Sequence, residues 1–319
     1  MNRFFAFFLL ILVLGACSSD RKKQKEIAAI PVAVDVIRFD KVFANATPDD
    51  LPSLKAEFPY LFPKQFPDSV WLARMQDTLQ LELEAEVLKV YDNFTKQEEE
   101  IEKLFQHLKY YFPEFTEPTI VTVISEVDYR NKVIASDRML LVGLDNFLGS
   151  EHHFYSGIHT YISKNLTPEQ LVPQIAEAYA TQLVRPSSAR TLLSGMVYYG
   201  KILYLKELLL SAEKAHTVMG YTQEELQWAE DNEAEIWRYF IERELLFSTD
   251  ARLPGRFLSP APFSKFYLEL DNESPGRLGQ YIGWQIVKAY MKNNDTTLQQ
   301  MLTTPADEIY KNSKFKPRK

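Results

Sequence analysis

The stretch TPEQLVPQIAEAYATQL, at residues 167–183, predicts the helix around which the fold is organised. Thr167 can cap this helix, Pro168 suits its first turn, and Gln170 can close a capping box. Apolar side chains then recur at helical spacing and form one face, at Val172, Ile175, Ala176, Tyr179, Ala180 and Leu183. Glu177 lies on a different, polar side of the same helix.

The middle of this helix resembles the zinc-peptidase motif His-Glu-x-x-His, in which two histidines hold the metal and the glutamate activates a water. Glu177 takes the glutamate position, but Ala176 and Ala180 take the histidine positions. Tyr199 stands where a later helix would supply a third ligand. Because no usual zinc ligand survives, we predict no metal and no cofactor. Glu177 is a vestigial catalytic candidate, and a hydrogen-bonded structural role is favoured for it.

Short runs of β-branched and apolar residues predict a small sheet ahead of this helix. We expect strands at residues 32–36, 119–124, 132–135 and 139–144. The strand at residues 139–144 is expected at an edge, where a peptide pairs with the sheet in zincins. An irregular stretch is expected at residues 58–67, followed by a helical region at residues 68–91 and a further helix that ends before Pro113. From Thr167 onward the chain is predicted to be almost wholly helical. The predicted fold class is α+β, a mostly helical, zincin-like domain with a small β-sheet and its metal ligands lost.

The N-terminus carries a lipoprotein signal. Arg3 gives a basic start, and the apolar run at residues 4–14 is too short to span a bilayer. The run ends in Gly15 and Ala16 before Cys17, which is the cleavage pattern of lipoproteins. We predict that Cys17 is acylated, with palmitate for example. The predicted organisation is a signal peptide at 1–16, a lipidated cysteine and flexible tether at 17–31, and a single domain at 32–319.

Composition limits the partners of the chain. It is 46% hydrophobic and 25% charged, as in ordinary globular proteins, and its net charge of −7 argues against nucleic-acid binding. Cys17 is the only cysteine, so the chain cannot form an internal disulfide. The lysine-rich residues 18–26 show no apolar periodicity and are predicted to be an unordered spacer. With no obvious inner-membrane retention signal at Ser18, the periplasmic face of the outer membrane is favoured over the inner membrane.

Three histidines form a second candidate site. His152, His153 and His159 lie close to Glu151 and could bind a metal. Their spacings of one and six residues fit no standard zinc pattern, and adjacent side chains point apart. A surface loop is therefore the favoured interpretation of this segment.

The polar loop at residues 271–277 is a third candidate. Asn272 or Ser274 could cap the helix that follows, and a helix N-terminus with Arg277 nearby could bind an anion. The alternatives are a binding loop formed by these three residues and a turn that only sets helix packing. Gly279 and Gly283, four residues apart, predict close approach of this helix to a neighbouring helix.

Several long, unusual runs carry a resemblance to a known family. They are MVYYGK (196–201), GYT (220–222), NEAEIW (232–237), PAPFSKFY (260–267), DNESPGR (271–277) and GQYIGWQ (279–285). Together with the lipoprotein signal and IRFD (37–40), they resemble the GldB family of gliding-motility lipoproteins of the Bacteroidetes, over the whole mature chain. The resemblance implies a component needed for surface gliding, associated with the type IX secretion apparatus and related to predicted zinc peptidases. It implies no known reaction.

Three classes of function follow. The favoured one is a non-catalytic envelope lipoprotein required for gliding, a pseudo-peptidase that acts as a scaffold with other gliding and secretion proteins as partners. The second is a module that binds a peptide or a peptidoglycan stem in the former peptidase cleft. The third is a residual metal-independent hydrolase that uses Glu177 with Tyr179 and Tyr199, and the loss of both histidines argues against it.

Overall fold

The computed structural model describes residues 21–268 and 271–318, so the predicted signal peptide and the lipidation site Cys17 lie outside the described residues. The strands are β1 (Val36–Ile37), β2 (Thr119–Val123), β3 (Val133–Ala135) and β4 (Met139–Gly143). The helices of the first half are α1 (Phe39–Ala44), α2 (Leu51–Glu57), α3 (Asp68–Met75), α4 (Thr78–Tyr91) and α5 (Thr95–Tyr111). Those of the second half are α6 (Thr160–Ser163), α7 (Leu171–Leu183), α8 (Leu192–Leu209), α9 (Ala215–Met219), α10 (Gln223–Asp231), α11 (Glu233–Glu242), α12 (Leu253–Phe257), α13 (Leu278–Asn293), α14 (Leu298–Thr303) and α15 (Ala306–Ser313).

The described residues are mostly helical with one small sheet, which confirms the predicted α+β class. The sheet has the order β1-β2-β4-β3; the first two pairs are parallel, and β3 is antiparallel to β4. The prediction that residues 139–144 form an edge strand is therefore wrong, because β4 lies between β2 and β3. The hairpin of β3 and β4 closes at Ser136, whose backbone N–H donates to the carbonyl of Met139. The antiparallel edge strand is β3.

The bounds of three predicted strands are confirmed to within one residue, and the fourth is shorter than predicted. At residues 32–36 only the last residue belongs to β1, which pairs with Ile120 and Val121 of β2. Val32 and Val34 pack against the main core without entering the sheet. Apolar alternation predicts which side chains are buried, but backbone pairing also needs a neighbouring strand alongside.

Two helix starts differ from the predictions. Thr167 precedes a 3₁₀ turn, Pro168–Gln170, and its side chain makes no cap bond, so the predicted capping box is wrong and α7 begins at Leu171. The helical region predicted at 68–91 is two helices, because the carboxylate of Asp77 accepts from the backbone N–H of Gln80 and starts α4 anew.

Helices α8 and α13 cross in backbone contact at the centre of the main core. A Cβ atom added at Gly200 would lie 2.3 Å from the carbonyl oxygen of Gly283, and one at Gly283 would lie 1.8 Å from the carbonyl oxygen of Met196. One at Gly279 would lie 2.9 Å from the carbonyl oxygen of Phe257. The close helix approach predicted from Gly279 and Gly283 is confirmed, and it fixes α8 against α13.

A second, smaller apolar cluster lies between the first helices of the chain and the sheet. Phe39 and Phe43 of α1 meet Leu54, Phe58 and Phe62, and this cluster also includes Val121 of β2. The phenylalanine rings of residues 39 and 58 meet edge to face, with centroids 5.1 Å apart.

Residues 21–28 are helical, which corrects the prediction that residues 21–26 are unordered. Ile27 is 1% exposed and supplies the apolar contact that the lysine-rich composition did not suggest. The Gln106 side chain reaches the carbonyls of Ala28 and Ile30 and fastens this segment to α5. In the part of the chain that the structure describes, no helix combines the length and apolar character needed to cross a membrane.

Candidate functional site

Helix α7 has a core side and a cleft side. Ala176 and Ala180 are fully buried in the main core, as their place in the predicted apolar face requires. The Tyr179 ring packs edge to face against Phe105 and Phe115, with centroids 6.3 and 5.6 Å away. Glu177 points to the other side, where 45% of its side chain is accessible from a recessed cleft.

Glu177 forms an ion pair with Lys206 of α8. The lysine side chain is 1% exposed, and its Nζ donates to Glu177 Oε2 at 2.9 Å. Burial acts to raise the pKa of Glu177, but the charges of Lys206, Arg277 and Lys132 outweigh it and lower the pKa to about 2. The Glu177 carboxylate therefore neutralises a lysine buried beneath it.

The cleft above Glu177 has a volume of about 260 Å³. Its walls come from five parts of the chain: the loop before β3, the end of α6, the cleft side of α7, the segment before α10 and the segment before α13. The charged side chains that line it are Arg130, Lys132, Lys164, Glu177 and Arg277. These residues are far apart in sequence and share one cleft only because the tertiary fold brings them together.

Three of these cations, Arg130, Lys132 and Arg277, lack a carboxylate partner among the described residues. Lys164 Nζ lies 2.6 Å from Glu225 Oε1, whereas Lys132 and Arg277 form no salt bridge with any residue that the structure describes. Burial lowers the pKa of Lys132; the charge of Glu177 opposes this effect, and the charges of Lys206 and Arg277 reinforce it. The cleft therefore carries an excess of positive charge although the chain as a whole is acidic.

Arg277 is the member of the predicted binding loop that reaches the cleft. Its Nη2 donates to the carbonyl of Gly220 at 2.8 Å, and its guanidinium carbon lies 5.3 Å from the centre of the Tyr221 ring. Its backbone is left-handed, with φ of 61°, a conformation that non-glycine residues rarely adopt.

The other two residues of the predicted loop lie elsewhere. Asn272 is exposed, and Ser274 is buried in a hydrogen-bond network with Ser264. Neither caps α13, so that prediction is wrong. The backbone N–H of Leu278 instead donates to Ser264 Oγ at 3.2 Å, which Ser264 can accept because residues 260–264 fold back over the start of α13.

Asp145, which the sequence analysis missed, positions the loop that carries the cleft cations. Its fully buried carboxylate accepts from the N–H of Ser125 at 3.0 Å, from the Ser125 hydroxyl at 3.0 Å and from the N–H of Val127 at 2.6 Å. Burial raises the pKa of Asp145, and these hydrogen bonds oppose that effect. Glu126 and Val127 have φ of 56° and 58°, so the carboxylate holds an unfavourable backbone in place. The sequence signal was a single acid within the otherwise uncharged, mostly apolar run at residues 139–149.

The remaining candidates do not join this cleft. Tyr199 packs against Tyr198, with ring centroids 5.1 Å apart, and neither Tyr179 nor Tyr199 is among the residues lining the cleft. His152 Nε2 lies 3.4 Å from Glu86 Oε2, and His159 stacks on Tyr161. Across residues 21–268 and 271–318, no three His, Cys, Asp or Glu side chains are grouped so that they could hold a metal ion.

Comparison with known proteins identifies the family. No curated protein and no solved structure matches the chain. The model of the family described as gliding motility protein GldB matches residues 20–317, which is most of the chain and nearly all of its folded part. This match confirms the resemblance seen in the sequence and indicates a lipid-anchored protein of the cell envelope. The chain belongs to the GldB family of gliding-motility lipoproteins.

Proposed function

We propose that this protein is a non-catalytic, lipid-anchored component of gliding motility that acts by binding other molecules. Its GldB membership supports the role in gliding. The Glu177–Lys206 ion pair is the observation that carries the non-catalytic part of the proposal.

The ion pair makes Glu177 a poor general base. A catalytic base works best when its pKa lies near the working pH, because it must both hold and release a proton. With its pKa lowered to about 2, the Glu177 carboxylate has little tendency to take a proton at neutral pH. One carboxylate oxygen is also already bonded to an ammonium group that is itself buried.

We further propose that the fold is a peptidase-like body that has lost its metal ligands. Helix α7 lies beside the antiparallel edge strand β3, and the Gln182 side chain donates to the carbonyl of Ala135 at 2.6 Å. The arrangement of a glutamate-bearing helix beneath an antiparallel edge strand supports this relationship. Ala176 and Ala180 lie in the packed core, where larger polar ligands would not fit without repacking.

A double substitution tests the non-catalytic proposal. Glu177→Gln with Lys206→Met removes both charges while keeping the approximate side-chain volumes, so neither partner is left unpaired. In a gliding bacterium deleted for its own GldB gene, we expect this variant to restore colony spreading as the wild-type chain does. Cys17→Ala, which removes the predicted lipid site, is expected to fail.

Abundance by immunoblot and thermal unfolding of the purified variant establish that it folds. A folded, normally abundant double variant that does not restore spreading and has lost a hydrolytic activity present in the wild type would overturn the proposal. In that case the residual hydrolase that uses Glu177 would become the better explanation.

We also propose that the anchor lies in the outer membrane, facing the periplasm, and that the partners are envelope proteins of the gliding and type IX secretion machinery. The absence of an obvious retention signal at Ser18 supports the first point, and family membership supports the second. Density-gradient separation of the two membranes, followed by cross-linking and mass spectrometry, tests both. Recovery of the protein with the inner membrane would contradict the outer-membrane assignment.

A second candidate function is binding of a peptide in the cleft. The specific observation in its favour is the excess positive charge around a cavity large enough for a small group. This function is compatible with the first, since a scaffold can recognise a ligand without transforming it.

A further inference from the structure

We propose that the cleft beside Glu177 binds the carboxylate group of a peptide ligand, which Lys132 and Arg277 hold. The inference rests on the proposed function, because it specifies the chemistry of the ligand that a non-catalytic cleft would recognise. It is carried by the placement of these two cations at a cavity of about 260 Å³.

The charges around the cavity leave two recessed cations free. Lys206 is neutralised by Glu177, and Lys164 is neutralised by Glu225. Among the described residues, Lys132 donates to the carbonyl of Tyr129 at 3.3 Å but forms no ion pair. Arg277 likewise has no carboxylate partner there. Arg130 also lines the cavity, but it is exposed and its guanidinium lies against the Tyr129 ring, 5.2 Å from the ring centre.

Arg277 is held ready for a ligand. One N–H of its guanidinium is committed to the carbonyl of Gly220, and the Tyr221 ring lies 5.3 Å from the guanidinium carbon. Such contacts fix the orientation of the planar group and leave other N–H donors for a carboxylate. The left-handed backbone at Arg277 is a local cost that the fold retains, as is common where a residue is placed for binding.

The neighbouring carboxylate favours a singly charged ligand. Glu177 shares the cavity with both cations and repels anions. A phosphate group, which carries a charge of about −1.5 to −2, is repelled more strongly than a singly charged carboxylate. Tyr129, Tyr161 and Pro260 add aromatic and apolar wall surface that a peptide residue can cover. The volume lies below the roughly 300–1,000 Å³ of typical ligand sites, so the cavity suits one terminal residue.

The test compares two probes that differ only at the proposed contact. N-acetyl-Ala-Ala with a free carboxylate and the same dipeptide as its amide are titrated into the chain from residue 18 onward, by ligand-observed NMR or calorimetry. We expect the acid to bind at least ten times more tightly than the amide. Lys132→Met is expected to weaken binding of the acid at least tenfold, and Arg277→Gln should do the same.

Matched controls remove the same charges elsewhere. Lys89→Met and Arg252→Gln change lysine and arginine side chains that are exposed and paired with nearby acids, so binding should not change. If Arg277→Gln fails to fold, Lys132→Met and the acid–amide comparison still decide. Equal binding of acid and amide, no binding of either at millimolar concentration, or tighter binding of inorganic phosphate than of the acid would each overturn the proposal.

The same samples separate this proposal from the proposed function. Mass spectrometry of the titrated dipeptide shows whether it has been cleaved. Cleavage of the dipeptide together with carboxylate-dependent binding would contradict the non-catalytic proposal and support the anion site. Absence of both cleavage and binding would remove the anion site and leave the non-catalytic proposal standing.

Discussion

Helix α8 takes part in two regions of opposite character. At Gly200 it meets Gly283 of α13 backbone to backbone, with no room for a side chain between the two helices. At Lys206, on its C-terminal part, it extends a charged side chain to Glu177 beneath an open cleft. The first region is held by shape and the second by charge. A rigid crossing of this kind can keep the lysine in place, so that the cleft keeps its volume without being filled.

The largest expected effect comes from breaking the crossing. Gly283→Ala would place a methyl carbon 1.8 Å from the Met196 carbonyl oxygen, so the two helices would have to separate. We expect the free energy of unfolding to fall by about 3 kcal/mol or more, at or above the upper end of overpacking effects. Chemical denaturation measures it. Gly255→Ala is the matched control, because its added methyl meets nothing within 4 Å, and an unchanged stability of Gly283→Ala would refute the backbone contact.

The next effect comes from breaking the ion pair from each side. Glu177→Gln leaves the 1% exposed Lys206 ammonium without its carboxylate, and we expect a loss of about 2 kcal/mol, reduced from the buried-pair range because Glu177 is partly solvated. Lys206→Met leaves a carboxylate that still reaches water, so its loss should be smaller. The double variant should be more stable than Glu177→Gln alone. Additive losses in this double-mutant cycle, measured by denaturation, would show that the pair is not coupled.

Lowering the pH should weaken the Glu177–Lys206 ion pair at the cleft more than the crossing of helices α8 and α13. The pKa of Glu177 is about 2 in the folded chain and about 4.5 when unperturbed, so its stabilising contribution is present above pH 4.5 and is lost as the pH falls toward 2. We expect the stability difference between wild type and Glu177→Gln to shrink by about 1 kcal/mol over this window, after allowance for solvent screening. Denaturation at several pH values measures it. A constant difference would contradict the lowered pKa.

The smallest effect concerns a second buried lysine of α8. Lys201 Nζ donates to the carbonyls of Leu302 and Thr304 at 2.9 and 2.8 Å, and burial lowers its pKa to about 8. Between pH 8 and 10.5 the unfolded chain binds more protons at this residue, so stability should rise with pH. The carbonyl contacts favour the charged form, so we expect a rise of under about 1 kcal/mol. The stability of Lys201→Met should not show this rise. An identical pH dependence of the wild type and Lys201→Met would argue against the lowered pKa of Lys201.

The predictable part of the molecule is the part set by local pattern. Short runs of β-branched and apolar residues predicted three strands to within one residue, and the spacing of Gly279 and Gly283 predicted a close helix crossing. The polar position of Glu177 on its helix predicted a structural hydrogen bond. Each of these properties depends on residues a few positions apart, which the helical and strand periods place on one face.

The charged cleft was not predictable in the same way. Lys206 is 29 positions from Glu177 in the sequence, and no periodicity connects them. Lys132 and Arg277 come from still more distant segments, so the sequence analysis identified Arg277 only as part of a loop. Asp145 was missed because a single acid in a mostly apolar run does not reveal which backbone N–H groups it accepts hydrogen bonds from.

By itself, the sequence determined the lipoprotein signal, the mostly helical α+β class and the resemblance to the GldB family. Those properties follow from residue identity and short-range spacing. Only the tertiary structure decided that β4 is central, that Lys206 neutralises Glu177, and that Lys132 and Arg277 share a cleft. The reason is that strand order and ion pairing depend on contacts between distant segments, whose geometry is fixed by how the helices and strands pack.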